Sequence, residues 1–223
     1  MRTWFRKQLS RGIFGGGWRN AAALLVLTAA VAIMWLIYGL LNHGPSAVFL
    51  KTSLDAVIPL VPAFVIPYLS LQPLVFVSLV LLLLFRSKIF ESAAQSMIAA
   101  WLVSFAFFIL MQSWMDRPVL TGNDVCTRLL RDVYANDAPY NCFPSLHVSL
   151  STILAIHWLR VDKRIGVPFA AWTVLIVLST VFVKQHYIAD VLGGLALAFG
   201  TSLLFLKAME KREIREKNRA GRR

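Results

Sequence analysis

Long apolar runs separated by short polar connections organise this chain. Six runs read as membrane spans: about 21–41, a stretch within 60–85, and about 92–112, 146–160, 166–183 and 190–207. A helix crosses the hydrocarbon core in about 20 residues, so the fourth run is short by that measure. The second carries Pro62, Pro67 and Pro73, which predicts an irregular start. The pattern predicts an all-α fold, a polytopic six-transmembrane-helix bundle over residues 21–207. A basic amphipathic cytoplasmic segment (1–20) and a basic cytoplasmic tail (208–223) flank it.

Composition agrees with this reading. The chain is 58% hydrophobic, against about 45–50% in soluble domains. Its net charge of +12 raises the question of nucleic acid, but the basic residues sit at the termini and between apolar runs, as in membrane proteins. No nucleic-acid partner is expected. With the N-terminus inside, eighteen of the 23 Lys and Arg residues fall on the cytoplasmic side. Only Lys51, Arg117, Arg128, Arg131 and Lys184 fall outside. That asymmetry predicts both termini in the cytoplasm and an even number of spans. A short chain without long loops suits an inner (plasma) membrane. The first run is longer than the core of a signal peptide, about 7–15 residues, and is read as an uncleaved span. Trp4, Phe5, Leu9, Ile13 and Trp18 recur among arginines at roughly helical spacing, either an amphipathic surface helix or a frayed basic tail. Gly15-Gly16-Gly17 is a flexible joint. It lacks the Gly-Lys-Ser/Thr of a phosphate loop.

The polar groups that can carry chemistry gather in two outer connections. The long one begins at Asp116-Arg117-Pro118 and ends in Pro144-Ser145-Leu146-His147, opening the fourth run. Pro-Ser is a helix-start signal, which puts His147 and the Leu146 amide in a first turn whose free N–H groups suit phosphate. The short one reads Lys184-Gln185-His186-Tyr187-Ile188-Ala189-Asp190. His186 and Asp190 at i, i+4 would share a helix face, the carboxylate fixing the imidazole tautomer and freeing the other nitrogen as a nucleophile. Arg117 and Lys184 supply positive charge for phosphate oxygens. Two intervening spans return the chain to the same side, so both motifs meet on one face.

These motifs resemble the type-2 phosphatidic-acid phosphatase superfamily, the lipid phosphate phosphatases. Its three motifs are Lys-x6-Arg-Pro, Pro-Ser-x-His and Ser-Arg-x5-His-x3-Asp. They correspond to Arg117-Pro118, to Pro144-Ser145-Leu146-His147, and to Ser179-Thr180 followed by His186 and Asp190, within roughly residues 100–205. Ile58-Pro59-Leu60-Val61-Pro62 is a weaker echo. The first-motif lysine falls on Leu110 and the third-motif arginine on Thr180, and both are lost. Phe-Pro-Ser-Leu-His-Val and Lys-Gln-His-Tyr-x-x-Asp look most similar to the inositol-phosphorylceramide-synthase-like branch, whose members transfer a phospho-headgroup between lipids. The resemblance implies that His186 attacks phosphorus and Asp190 stabilises its imidazolium. His147 protonates the leaving alkoxide and then activates the acceptor. Arg117, Ser145, Lys184 and the amide near Leu146 would hold the phosphoryl oxygens, with no metal or other cofactor.

The partners expected are the lipid bilayer and a lipid phosphate, with water or an alcohol as acceptor. Competing readings are a zinc site on His147, His186 and Asp190, which Lys184 and Arg117 would oppose, a transporter with polar groups at mid-membrane, and a catalytically inactive lipid-binding scaffold. His157 reads as a packed, hydrogen-bonded histidine and His43 as an interfacial loop residue. Cys126 and Cys142 in the long outer loop either form a disulfide or remain free thiols. Asp116, Asp124, Asp132, Asp137 and Tyr134 are either headgroup contacts or solvated loop residues. Tyr187 reads as an interface anchor.

Overall fold

The computed structural model describes residues 17–44 and 48–221, with side chains from residue 21 onward. The basic segment 1–16, with most of the expected amphipathic pattern, lies outside the described residues. Among the described residues, five apolar segments are long enough to cross a bilayer: Ala21–Leu41, Pro62–Phe85, Ser87–Leu110, Lys163–Phe182 and Ile188–Ala220. They correspond to helix α1 (Gly17–Leu41), a 3-10 turn (Pro62–Phe64) leading into α3 (Val65–Leu69) and α4 (Leu71–Phe85), then α5 (Ser87–Leu110), α8 (Lys163–Phe182) and α9 (Ile188–Ala220). The irregular start of the second segment coincides with its prolines, as expected.

Helix α7 (Leu146–Val161) is the shorter, sixth apolar helix, at 16 residues. It packs against α4, α5, α8 and α9, and Leu150, Ile153 and Leu154 are fully enclosed. A helix surrounded by helices tolerates polar residues if their partners lie in the protein. Ser149 Oγ donates to Gly194 O at 3.1 Å, and Thr173 Oγ1 donates to Ser151 O at 3.3 Å. His157 Nδ1 bonds Ile153 O at 2.7 Å and its Nε2 meets Ser92 Oγ at 3.0 Å, so this histidine is satisfied within the core. Small residues on α5, among them Ala93, Ala94, Ser96 and Ala100, face this core. Leu36, Leu40, Phe76, Leu192, Leu203 and Leu204 point outward and are well exposed, a surface suited to lipid.

The two ends of the bundle differ. At one end, Lys88 pairs with Glu216 at 2.7 Å, Arg160 with Glu210 at 3.2 Å and Arg212 with Glu91 at 2.5 Å. Exposed pairs of this kind contribute at most about 1 kcal/mol each. They tie the 33-residue α9 to the start of α5 and the end of α7, so the basic tail continues the last helix.

At the other end the connections form an ordered cap. Strands β1 (Val48–Phe49) and β2 (Ser113–Trp114) pair in parallel, between them in sequence a short helix α2 (Ser53–Val57). Gln112 donates to Leu41 O at 3.0 Å and His43 O at 3.2 Å, and accepts from Asn141 N at 3.2 Å. The long connection also contains an amphipathic helix, α6 (Val125–Asn136), where the hydropathy pattern predicts only loop. Asp124 caps it, accepting from Cys126 N at 3.0 Å and Thr127 N at 3.1 Å. Leu130 and Val133 seat it on Val65, Tyr68 and Val183.

Candidate active site

Two helix starts meet at the capped end. Ser145 is the N-cap of α7, and its own N–H donates to Asp190 O at 3.1 Å. This bond joins the first turn of α7 to that of α9. Close packing reinforces it, since a Cβ on Gly194 would lie 2.7 Å from Ser145 O and one on Gly193 2.6 Å from the Phe143 ring. The amides of Leu146 and His147 occupy a helix N-terminus, where no intrahelical acceptor exists. The Ser145 hydroxyl is used by its cap, accepting Val148 N at 3.4 Å.

His147 is half-buried, its ring stacked on Tyr68 at 4.1 Å between centroids. His186 lies 6.2 Å from it, centroid to centroid, with the planes tilted by 55°. The two imidazoles flank a common space without touching. His186 Nδ1 stands 3.5 Å from Asp190 Oδ2, beyond a good hydrogen bond, although such contacts commonly tighten when substrate binds. The expected shared helix face is not how this pair arises. Tyr187 is the N-cap of α9, so His186 precedes the helix. Asp190 folds back to accept Tyr187 N at 2.8 Å, and that capping bond brings its carboxylate to His186. Its Oδ1 and His186 Nδ1 are buried without partners.

The chain reaches His186 through a tight turn. Lys184 adopts a positive φ of 53°, a left-handed conformation that costs a non-glycine residue about 1–2 kcal/mol. Gln185 N and His186 N both donate to Thr180 O at 3.0 Å. Lys184 Nζ donates to Ile58 O at 2.6 Å and to Asp55 O at 3.4 Å, so its ammonium engages loop carbonyls rather than the histidines. Burial lowers its pKa from the ordinary lysine range.

Arg117 is held from several sides. Its Nη1 donates to Asp137 O at 2.7 Å and Tyr134 O at 3.2 Å, its Nη2 donates to Gln185 Oε1, and its Nε is buried and unpaired. The guanidinium lies 4.7 Å over the Tyr134 ring. Of the acidic residues read as either headgroup contacts or solvated loop residues, Asp137 lies beside this arginine, whereas Asp124 is a helix cap and Asp132 is exposed. Burial raises the Asp137 carboxyl above the usual range, with Arg117 opposing.

The sequence reading missed two site residues. Asp55 is buried, and its Oδ1 accepts Ile188 N at 2.8 Å while Oδ2 accepts Thr52 N at 2.7 Å and Thr52 Oγ1 at 2.6 Å. Burial works to raise its pKa, but these bonds outweigh that and hold the carboxyl below the usual range. Thr-x-x-Asp is a capping pattern, a signal for the local bonds but not for the reach to α9. Tyr187 is buried, not an interface anchor. Its hydroxyl accepts Asp116 N at 3.1 Å, and its ring packs on Phe49 at 5.4 Å, linking the Arg117 segment to the His186 turn. Of the two alternatives for the cysteines, the structure has free thiols at Cys126 and Cys142 and not the disulfide. Cys126 packs with Val65 and Leu130, Cys142 with Met115 and Tyr187, in separate apolar clusters.

The lost motif positions have structural roles elsewhere. Leu110 is 84% exposed on the outward face of α5, and Thr180 Oγ1 bonds back to Val177 O at 2.7 Å.

Residues 119–204 match the PAP2 superfamily.

The PAP2 match contains His147, His186 and Asp190 and begins two residues after Arg117. It supports a lipid-phosphate phosphatase type of chemistry in general. No curated protein and no solved structure matches the chain.

Proposed function

We propose that the whole chain is a PAP2-superfamily enzyme that hydrolyses a membrane lipid phosphate ester through a phosphohistidine on His186. The observation that carries this reading is the pair of imidazoles 6.2 Å apart at one end of an apolar helix bundle, with the Asp190 carboxylate behind one of them. In this reading α7 is a sixth span, enclosed by the other helices and so free of the need for a continuous lipid-facing surface. Both termini are cytoplasmic and the site faces the periplasm or exterior, which the distribution of basic residues supports.

With Nδ1 turned to Asp190, His186 presents Nε2 to phosphorus. Attack forms the N–P bond as the ester O–P bond breaks, and His147 gives its proton to the departing alkoxide. His147 then takes a proton from water, which displaces the histidine from phosphorus. Asp190 stabilises the imidazolium formed in between. Arg117 Nε and the amides at Leu146 and His147 are the donors for the phosphoryl oxygens.

A second reading, transfer of a phosphodiester headgroup to an alcohol, has its own support. The cationic supply is small: Thr180 stands at the motif arginine, Lys184 engages carbonyls, and Arg117 has one unpaired donor beside the Asp137 carboxylate. A phosphodiester carries one negative charge where a monoester carries nearly two. The site therefore suits a diester better.

The test is purified enzyme on a panel of lipid phosphates and phosphodiesters, with and without alcohol acceptors. Phosphate release without alcohol supports hydrolysis, and product that requires alcohol supports transfer. In either case labelled donor should leave acid-labile label on the wild type and none on His186→Ala. Full turnover by His186→Ala would exclude both.

A further inference from the structure

At the end of the bundle away from the histidines, α9 sorts its charges by sign. Its three acids turn toward the other helices. Glu210 pairs with Arg160 at 3.2 Å, and Glu213 and Glu216 pair with Lys88 at 3.8 and 2.7 Å. Arg212 reaches Glu91 at 2.5 Å. Met209 is buried and marks the packed side of this stretch. The other side carries Lys207, Lys211, Ile214, Arg215 and Asn218, at i, i+4, i+7, i+8 and i+11, all of them exposed. Among the described residues, Lys207, Lys211 and Arg215 have no acidic partner. The result is a cationic strip with an exposed Ile214 set in it.

The ion pairs also fix the level of this strip. Helix α4 ends at Phe85 and α5 begins at Ser87, so that turn marks the end of the apolar bundle. Lys88 and Glu91, at the start of α5, hold Arg212, Glu213 and Glu216 beside them. Lys211 and Arg215 are interleaved with these residues along α9 and stand at the same depth. A helix of 33 residues is about 50 Å long, about 20 Å more than the hydrocarbon core. The strip therefore falls in the headgroup layer. One turn nearer the core, Leu203 and Leu204 are exposed on the same side of the helix. The side of α9 that faces lipid tails thus runs straight into the side that carries the cations. A lipid lying on Leu203 and Leu204 presents its phosphate to Lys207, Lys211 and Arg215. In a zwitterionic lipid the headgroup's own cation opposes this contact. An anionic headgroup has no such opposition.

We propose that Lys207, Lys211 and Arg215 form a binding surface for anionic phospholipid headgroups, those of the cytoplasmic leaflet in the orientation proposed above. The inward ion pairs withhold the acids that would otherwise neutralise it. The surface is independent of the phosphoryl chemistry at His147 and His186.

The experiment has two arms on full-length protein. In the first, protein in neutral detergent is titrated with phosphatidylglycerol or phosphatidylcholine of the same chains, and native mass spectrometry counts the bound lipids. The wild type should prefer phosphatidylglycerol. A basic residue at a charged membrane surface contributes about fivefold, so Lys211→Gln/Arg215→Gln should lower the preference by roughly tenfold or more. Lys211→Arg/Arg215→Lys should retain it. So should Lys51→Gln/Arg128→Gln, which removes two charges from the capped end. Phosphatidylglycerol held at the histidine site is common to all four proteins and leaves the comparison unchanged. No preference in the wild type, or an equal fall in the capped-end control, overturns the proposal. In the second arm, bimane is placed on Ile214→Cys in a Cys126→Ser background, in nanodiscs that contain phosphatidylglycerol. Quenching by a headgroup-nitroxide lipid, with protection from aqueous acrylamide, supports the surface. Quenching by acrylamide alone puts the strip in water, overturns lipid as its occupant and redirects the search to a soluble acidic partner. Neither readout depends on His186, so loss of the phosphohistidine reading would leave both standing.

Discussion

Replacing Gly194 with alanine tests how the two helix starts are held together. The added Cβ would stand 2.7 Å from Ser145 O and 2.9 Å from Val148 Cβ, neither at the end of a flexible side chain. Ordinary contact begins at 3.4 Å, so α9 must move from α7 by about 0.7 Å. That movement stretches Ser145 N to Asp190 O from 3.1 Å and Ser149 Oγ to Gly194 O from 3.1 Å. Overpacking costs about 1–3 kcal/mol, and two weakened buried hydrogen bonds add about 1 kcal/mol each. The better helix propensity of alanine returns about 1 kcal/mol. The net expectation is a loss of about 2–4 kcal/mol in stability. Activity should fall more steeply, because the shift separates His147 from His186, and a displacement near 1 Å can cost about a hundredfold. Gly200 lies on the same helix, and a Cβ added there would meet nothing within 4 Å. Gly200→Ala is therefore the control, neutral to about 1 kcal/mol more stable. Reversible unfolding in mixed micelles and turnover of the lipid donor measure both variants. Equal behaviour of the two, or wild-type activity in Gly194→Ala, would refute the argument that helix proximity sets the site.

Further outcomes follow from individual contacts. Asp55→Asn should cost about 1.5–3 kcal/mol at neutral pH, the range for hydrogen bonds to a charged group. Because the folded state holds the Asp55 carboxyl below its ordinary pKa, this stabilisation is present above about pH 4 and disappears as pH falls through the depressed value. Denaturation of wild type and variant at pH 7 and at low pH should therefore converge in acid. Tyr187→Phe removes the acceptor of Asp116 N, with an expected loss of about 1 kcal/mol and weaker donor binding through displacement of Arg117, read as a raised KM. Burial pushes the Cys142 thiol up while Cys126 is only half-buried. Maleimide should label Cys126 in the folded protein and Cys142 only after unfolding, and reductant should leave stability unchanged.

Much of the arrangement was legible along the chain because hydropathy and helix starts are local properties. Among the described residues, five long apolar segments and one shorter helix fall where the runs fall, with ends displaced by a few residues except in the last helix, which continues through the basic tail to Ala220. Helix α6 has a local signal too, in Asp124 as a cap ahead of Leu130 and Val133, but its apolar stripe is short and set in a polar connection that reads as loop. The positions of His147, His186 and Asp190 could be chosen from spacing. The bond that orients them could not, since Asp190 reaches His186 by capping Tyr187 N rather than across a helix face.

The sequence alone determined that the chain is apolar in helix-length runs, that its polar motifs open two of those runs on one side, and that the residue types there suit phosphorus chemistry. Tertiary structure alone decided what each polar side chain does with its hydrogen bonds. Asp55 caps a helix 133 positions away, Lys184 turns to a carbonyl 126 positions back, and Asn42 meets Asp137 across 95. Pairing of this kind depends on which backbone groups the packed helices leave unsatisfied, and no local pattern records that.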